Sequence, residues 1–245
     1  MTSNNNIENK DKNPPREDVH KMFDRISSRY DLLNRLLSFR RDIIWRKKLA
    51  ELLPQRENLK ILDLATGTGD VLFSLIQNNS HIISGVGLDM ASEMLKLAQI
   101  KINKNSLQYK LFLIRGDATN IPFDDNSFDA TTIAFGIRNV INVNQSLSEM
   151  FRVLTPNGKA LILEFSLPKN KFVKSLYLFY FRRILPLIGG VISGDSYAYR
   201  YLNQTVETFP YGDDFCELMR KAGFDSVRQH PMTFGIATIY EGMKN

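Results

Sequence analysis

The sequence predicts an α/β fold with a mostly parallel sheet. Short apolar runs rich in β-branched residues alternate with segments of helical spacing, the pattern of strand–helix–strand units with right-handed crossovers. The first run, 61–64, stops at a turn that contains Gly67 and Gly69, and a helical pattern follows directly. The seven predicted strands are 61–64, 82–88, 109–114, 128–133, 160–165, 227–230 and 236–240.

Around these strands we expect one domain over residues 18–245, since 245 residues suit a single well-buried core. The polar stretch 1–17 is predicted to be a disordered tail. Residues 18–55 have helical spacing, with predicted breaks near Ser27-Ser28 and Ser38-Phe39, and form a helical cap. Residues 168–210 interrupt the alternation and form an apolar helical insertion.

The composition excludes some classes of protein and leaves others open. One cysteine, Cys216, excludes an internal disulfide framework, and three scattered histidines suggest no metal site. The formal charge of +6 favours a nucleic acid or an anionic membrane surface as a partner, without choosing between them. The tail has no apolar segment of the kind found in signal peptides, so a cytoplasmic protein is expected.

The glycine turn predicts a nucleoside site. Gly67 and Gly69 allow a ligand to approach the backbone, and a helix N-terminus follows them. Leu72 stands where a dinucleotide fingerprint has its third glycine, and nearby acidic residues disfavour phosphates. Asp89, after the second strand, is placed for a ribose diol. Asp117, after the third strand, is placed for an adenine amino group, although a surface turn would explain it equally well.

The substrate is expected beside the fourth strand, where Phe135-Gly136-Ile137-Arg138-Asn139 follows its carboxyl end. The insertion between residues 172 and 192 is aromatic and apolar with basic interruptions, too polar to span a bilayer. It would either be an ordinary buried helix, line an apolar pocket, or make a peripheral contact with the inner face of a membrane.

Two resemblances sharpen these expectations. LDLATGTGD at 62–70 followed by GLD at 87–89 resembles the first motifs of class I S-adenosylmethionine-dependent methyltransferases. From about Val19 to Met243 the chain resembles the ubiquinone/menaquinone biosynthesis C-methyltransferases. The motifs that carry this likeness are YDLLNRLLSFRRDIIW at 30–45, FGIRN at 135–139, RVLTPNGKALILEFS at 152–166, YRYL at 199–202, FP at 209–210, and AGF and FGIA near the end.

The resemblance implies a Rossmann-like fold with a seven-stranded sheet and helices on both faces. It implies methyl transfer from S-adenosylmethionine to a ring carbon of a polyprenylated quinol such as demethylmenaquinol, with S-adenosylhomocysteine as the product. Thr66, Asp89, Asp117 and Ala118 match cofactor-contacting positions of the family. The chain departs from the family pattern at Leu33, Asp42, Ala134 and 155–158, where the family usually has Met, His, Ser and Lys-Pro-Gly-Gly.

The chemistry requires an electron-rich acceptor, because an oxidised quinone should not attack a methyl group. Arg138 is predicted to stabilise the phenolate of the reduced ring, since a guanidinium keeps its charge and offers several donors. Alternatively, Arg138 forms a salt bridge that ties the fourth strand to the insertion. The proton acceptor would be water held by Arg138 and Asn139, or the carboxylate of Asp31, and the sequence does not decide between them.

The sequence is also compatible with two other functions. An RNA methyltransferase would suit the positive charge, but the Asn/Asp-Pro-Pro-aromatic motif is not found after the fourth strand, and Cys216 does not lie at that edge. A cofactor-binding scaffold that does not catalyse would suit the apolar insertion. The sequence also leaves open a naphthoquinol or a benzoquinol acceptor, the tail length and the oligomeric state.

Overall fold

The computed structural model describes residues 19–184 and 196–245, so the predicted tail and part of the insertion lie outside the described residues. It confirms the α/β fold. The strands are β1 (Leu59–Leu64), β2 (Ile82–Asp89), β3 (Leu111–Arg115), β4 (Phe128–Ala134), β5 (Leu154–Phe165), β6 (Asp225–Met232) and β7 (Ala237–Met243). The helices are α1 (Val19–Leu37), α2 (Arg41–Glu51), α3 (Asp70–Asn78), α4 (Ser92–Lys104), α5 (Val143–Val153), α6 (Lys171–Phe179), α7 (Ser196–Thr208) and α8 (Asp213–Lys221).

The seven strands form one sheet in the order β3-β2-β1-β4-β5-β7-β6. Strands β1 to β5 are parallel, whereas β7 runs antiparallel to both β5 and β6. The chain winds outward from β1 in one direction to β3 and then crosses to β4 on the other side. The carboxyl ends of β1 and β4 therefore flank the topological switch point, which is where open α/β sheets bind ligands.

Two hydrophobic clusters, one built around Leu62, Leu64 and Ile133 and the other around Leu59, Ile61 and Leu161, form the core. Successive side chains of a strand point to opposite faces of the sheet. Both clusters draw on β1, so apolar side chains on each face of this strand are buried. This double burial explains why the run is apolar throughout instead of alternating with polar residues.

The cap differs from the prediction at one point. The predicted break near Ser27-Ser28 is wrong, because α1 continues through both serines. Serine costs a helix only a few tenths of a kcal/mol relative to alanine, and packing of one apolar face outweighs that cost. The break at Ser38-Phe39 is confirmed, since Phe39 and Arg40 have φ angles of 51° and 60° between α1 and α2.

The cap contacts the insertion. Val19, Met22 and Ile26 of α1 form a buried cluster with Tyr201 of α7. Helix α6 continues into a π-helical segment, Tyr180–Ile184. Within residues 19–184 and 196–245, none of the helices is long and apolar enough to cross a membrane.

Candidate functional site

Two adjoining cavities open at the carboxyl ends of the parallel strands. The first, here called the nucleoside cavity, lies beside the ends of β1, β2 and β3 and includes Gly67 and Asp89. The second, here called the apolar cavity, has a volume of about 370 Å³ and lies between the cap and the insertion. Phe23, Tyr30 and Phe135 line both cavities. The two cavities therefore adjoin along these aromatic side chains.

The glycine turn and Asp89 form one unit in the nucleoside cavity. Gly67 has φ +56°, and a Cβ added there would meet no atom within 4 Å, so its position faces open space. The Gly67 backbone N–H donates to Asp89 Oδ2 at 2.7 Å, and the Ala91 N–H donates to Oδ1 at 2.8 Å. Burial raises the pKa of Asp89 although these donors oppose the rise. The carboxylate is thus fixed in place, with further lone pairs available to a ligand.

Asp117 and Ala118 line the same cavity from the turn after β3. Asp117 Oδ1 accepts a hydrogen bond from the Thr119 backbone N–H at 2.8 Å, so the side chain also stabilises its own turn. The two roles that the sequence suggested for Asp117 are compatible in this geometry.

Thr66 and Gly69 lie in the turn but outside the lining of both cavities. Thr66 Oγ1 donates to Asp63 Oδ2 at 2.6 Å, and Thr132 Oγ1 donates to Asp63 Oδ1 at the same distance. Burial raises the pKa of Asp63 to about 7. Gly69, at φ +81°, is the N-cap residue that precedes α3. Direct contact of Thr66 or Gly69 with a cofactor stays a prediction.

The segment after β4 is strained where the two cavities meet. Phe135 has φ +55°, an uncommon conformation for a bulky residue, and such strain is concentrated at functional sites. A Cβ added at Gly136 would lie 2.6 Å from the Ala65 Cβ, so the backbones of this segment and the β1 turn approach closely. Phe135 lines both the nucleoside cavity and the apolar cavity from this strained segment.

Arg138 lines the apolar cavity and is only 5% exposed. Its NH1 donates to Glu164 Oε1 at 2.8 Å and to the Phe135 carbonyl at 2.6 Å. Its guanidinium carbon lies 5.5 Å from the centre of the Phe165 ring. Burial raises the pKa of Glu164, and the charge of Arg138 opposes that rise. The salt bridge expected of Arg138 therefore exists, but it joins the segment after β4 to β5 and not to the insertion.

Asn139 lies in the nucleoside cavity, so the two neighbouring residues face different cavities. The Tyr201 hydroxyl donates to Asn139 Oδ1 at 3.1 Å, which connects the insertion to the nucleoside cavity. A water held by Arg138 and Asn139 together would have to lie near the shared aromatic wall.

Asp31 takes part in a polar network outside the nucleoside cavity and the apolar cavity. Its Oδ2 lies 2.6 Å from Lys101 Nζ, and its Oδ1 accepts from Thr68 Oγ1 at 2.6 Å. Lys101 also pairs with Asp70 at 2.7 Å. Burial acts to raise the pKa of Asp70, but the charges of Arg46 and Lys101 outweigh it and hold that pKa low. The network fixes α1 against the glycine turn, which gives Asp31 a structural role.

Asp42 and Arg46 form a second buried pair in the apolar cavity. Asp42 is 2% exposed; its Oδ2 lies 2.5 Å from Arg46 NH1, and its Oδ1 accepts from Ser38 Oγ at 2.7 Å. Neither Arg46 nor Glu164 was predicted from the sequence to lie at the site. For Arg46 the available signal was the spacing of four residues from Asp42 on a helix.

The nucleoside cavity suits an adenosyl sulfonium. Asp89 and Asp117 offer acceptors for hydroxyl and amino donors, while Met90, Val140 and Ile141 give an apolar wall. The aromatic faces at the boundary of the two cavities favour a cation. Open space beside Gly67 allows close approach to the backbone.

Solved structures agree with the fold. A Thermotoga maritima S-adenosylmethionine-dependent methyltransferase, described as a possible histamine N-methyltransferase, aligns with a TM-score of 0.64 at 19% identity, over 93% of this chain and 100% of that chain. The [4+2]-cyclase SpnF aligns with a TM-score of 0.63 at 14% identity, over 95% of this chain and 97% of that chain. Likeness at this identity shows the fold alone. Together with the methyltransferase family model that matches this chain, the fold defines the class: the protein is an S-adenosylmethionine-dependent methyltransferase with a Rossmann-like fold.

The ubiE/COQ5 methyltransferase family model matches residues 8–244, and the chain belongs to that family. A Geotalea daltonii ubiquinone/menaquinone biosynthesis C-methyltransferase UbiE is 44% identical over 93% of this chain and 97% of its own length. The demethylmenaquinone methyltransferase of Thermus thermophilus is 43% identical over 90% of this chain and 99% of its own length. The predicted family, methyltransferase class and cofactor are confirmed.

Proposed function

We propose that this enzyme methylates a ring carbon of a polyprenylated quinol and that its main acceptor is demethylmenaquinol. The observation that carries the proposal is the apolar cavity, which holds a buried arginine and shares an aromatic wall with the nucleoside cavity. A flat aromatic ring fits such a wall, and its ionisable oxygen fits a cationic donor. Relatives named for menaquinone biosynthesis support this acceptor.

In this proposal Gly67, Asp89, Asp117 and Ala118 hold the cofactor, and Asn139 completes the wall of its cavity. Bound S-adenosylmethionine supplies an electrophilic methyl group. The protein itself holds the acceptor ring in line with that group and excludes water, which is the main contribution needed for an activated donor.

Arg138 would act on the acceptor. The ring carbon of a quinol is a weak nucleophile until the neighbouring hydroxyl ionises, and a hydrogen bond to the ionised oxygen lowers the pKa of that hydroxyl. A guanidinium group has no acceptor and does not act as a base in proteins, so Arg138 would serve as a cationic donor. Glu164 fixes its position, so the donor is already oriented before the substrate binds.

The prenyl tail would leave the apolar cavity toward a membrane surface. Phe39 and Tyr180 line this cavity, and their ring centres lie 5.7 Å apart. Phe172, Leu176 and Phe179 lie on one face of α6 and are 79%, 61% and 57% exposed. Basic residues in the same region would attract an anionic bilayer: Arg40, Arg41, Lys169, Lys171, Lys174 and Arg183. The enzyme would then be cytoplasmic and peripheral, and the described part of 172–192 would supply the contact.

The domain division stays part of the proposal. Residues 18–245 would form one methyltransferase domain, in which the cap at 18–55 covers the cofactor and the insertion at 168–210 forms the substrate side. Contacts of α1 with both cavities support this division.

The decisive assay presents the purified enzyme with short-tailed naphthoquinone and benzoquinone analogues side by side, each reduced chemically. We expect methylated naphthoquinol and S-adenosylhomocysteine in equal amounts, with a higher kcat/KM than for the benzoquinol. A higher value for the benzoquinol would reassign the acceptor. Binding of the cofactor and quinol without S-adenosylhomocysteine would indicate a scaffold. Methylation of RNA in a parallel reaction would refute the proposal.

Membrane contact is tested separately by sedimentation with vesicles that contain phosphatidylglycerol. Replacing Phe172 and Leu176 with serine should weaken vesicle binding at least tenfold and leave methylation of a short-tailed quinol within twofold. Ile100→Ser on α4, which removes a side chain that is also 61% exposed, is the matched control and should not change binding. Equal binding by all variants would refute the docking surface.

A further inference from the structure

The hydroxyl of Tyr177 is a buried polar group without a partner. Tyr177 lies on α6, is 8% exposed and lines the apolar cavity. Within the described residues its oxygen accepts and donates no hydrogen bond. Buried hydroxyls of this kind are uncommon because they cost about 1–3 kcal/mol unless they are satisfied. An unpaired polar atom at the wall of a binding cavity is therefore a candidate contact for a ligand.

A second unpaired donor belongs to the same cavity. Arg138 uses its NH1 for Glu164 and the Phe135 carbonyl, but its Nε is buried and has no partner in the described part of the chain. Phe165 and Phe181 connect the two residues. The Arg138 guanidinium lies over Phe165, whose ring centre is 6.3 Å from that of Phe181, and Phe181 is 5.1 Å from Tyr177.

The Tyr177 phenol can act as a donor throughout the neutral pH range. Burial raises its pKa, while the charge of Arg138 opposes the rise, which also indicates that the two groups are close. The net shift is upward, so Tyr177 stays protonated and does not serve as a base.

We propose that Tyr177 Oη and Arg138 Nε form a two-donor site for the ionised oxygen of the acceptor ring, next to the carbon that is methylated. This inference rests on the proposed function and extends it to a residue of the insertion. The two donors approach from separate segments, so the site is complete only when α6 packs against the turn after β4.

The protons and electrons balance without a further reactant. The ring hydroxyl loses its proton to solvent, and both donors hydrogen-bond to the resulting phenolate. The ring carbon then forms the new C–C bond with the methyl group as the S–C bond breaks, and its electron pair comes from the phenolate. Loss of the hydrogen on that carbon as a proton restores the aromatic ring. Tyr177 keeps its own proton throughout.

The first test measures ionisation without turnover. The probe is 4-methoxy-1-naphthol, which has one ionisable hydroxyl and changes its absorbance on ionisation. Bound to the wild-type enzyme with S-adenosylhomocysteine, its pKa should fall below the value in water. Tyr177→Phe should raise the bound pKa by roughly one to two units, since a hydrogen bond to a charged group is lost.

Turnover and stability supply independent readouts. At pH 7 Tyr177→Phe should lower kcat at least tenfold, and the deficit should close as pH rises and the substrate ionises unaided. The thermal midpoint of the free variant should equal or exceed that of the wild type, because an unsatisfied hydroxyl has been removed. Tyr211→Phe is the matched control, since Tyr211 packs on the cluster that contains Tyr177 but does not line the cavity.

Three results would overturn the two-donor site. They are an unchanged probe pKa in Tyr177→Phe, a rate deficit that is constant with pH, and a fall in thermal midpoint that accompanies the loss of activity. Failure of the proposed function is distinguishable, because the wild type would then methylate neither reduced quinone, whereas the probe would still report ionisation.

Discussion

Replacing Arg138 separates its structural role from its chemical role. Arg138→Met leaves Glu164 as an unpaired carboxylate that is only 1% exposed. Breaking a buried pair in this way costs about 3–5 kcal/mol, which for a chain of this size lowers Tm on the order of 10 °C. Adding Glu164→Gln removes the unpaired charge and should recover most of the lost stability. It should not recover turnover, because the donor to the ring oxygen is still missing.

The instability of Arg138→Met should depend on pH. The pKa of Glu164 is already raised by burial, and it rises further when the arginine is removed. A carboxyl whose pKa is higher in the folded state than in the unfolded state stabilises the fold when it is protonated. Its contribution to stability is therefore present at pH values near and below its ordinary pKa of about 4.3, and it is lost as pH rises through the folded-state pKa. The stability deficit of the single variant should therefore grow from pH 4.5 to pH 8, whereas the double variant should show a much flatter profile.

Denaturant unfolding at four or five pH values, calorimetric titration with S-adenosylmethionine and turnover with a reduced naphthoquinone measure these effects. We expect the double variant to bind the cofactor with an affinity within threefold of the wild type, while kcat falls at least a hundredfold. Turnover of the double variant within threefold of the wild type would remove Arg138 from the reaction. A single variant as stable as the wild type at pH 8 would refute the buried ion pair.

Three further predictions concern the cofactor, the core and the acceptor. Gly67→Ala should weaken S-adenosylmethionine binding at least tenfold in a calorimetric titration, because the new Cβ would occupy the open space beside the turn. It should also cost about 1 kcal/mol of stability, because the φ angle at this position is +56°. Unchanged affinity would contradict the placement of the cofactor beside Gly67. Burial raises the pKa of Asp63 to about 7, so this carboxyl should make the wild type lose stability as pH rises toward and through 7. Asp63→Asn should make that loss smaller in denaturant unfolding, and stability profiles of the two proteins that run parallel between pH 5 and pH 8 would contradict the prediction. Oxidised quinone should accept no methyl group under strictly oxidising conditions, since its ring is electron-poor, and product detected by mass spectrometry would contradict the nucleophile assignment.

Local patterns determined much of the fold. The apolar run of β1 and the positive φ of Gly67 and Gly69 are properties of a few consecutive residues, and such properties can be read from a sequence. The acidic residue after β2 could likewise be placed at the carboxyl edge, because parallel strands align their carboxyl ends. Helix continuity at Ser27-Ser28 could not be read in this way, since packing of α1 against its neighbours outweighs the weak propensity of serine.

By itself, then, the sequence determined the parallel sheet, the glycine turn, Asp89 beside it and the segment that contains Arg138. Only the tertiary structure decided that Arg138 pairs with Glu164, that Asn139 faces the other cavity, and that Tyr177 has a buried hydroxyl without a partner. The physical reason is distance along the chain. Arg138 and Glu164 are 26 residues apart, and β4 and β5 bring them together only when the sheet forms. Whether a buried polar side chain has a partner depends on several segments that are distant in the sequence and meet only in the folded chain.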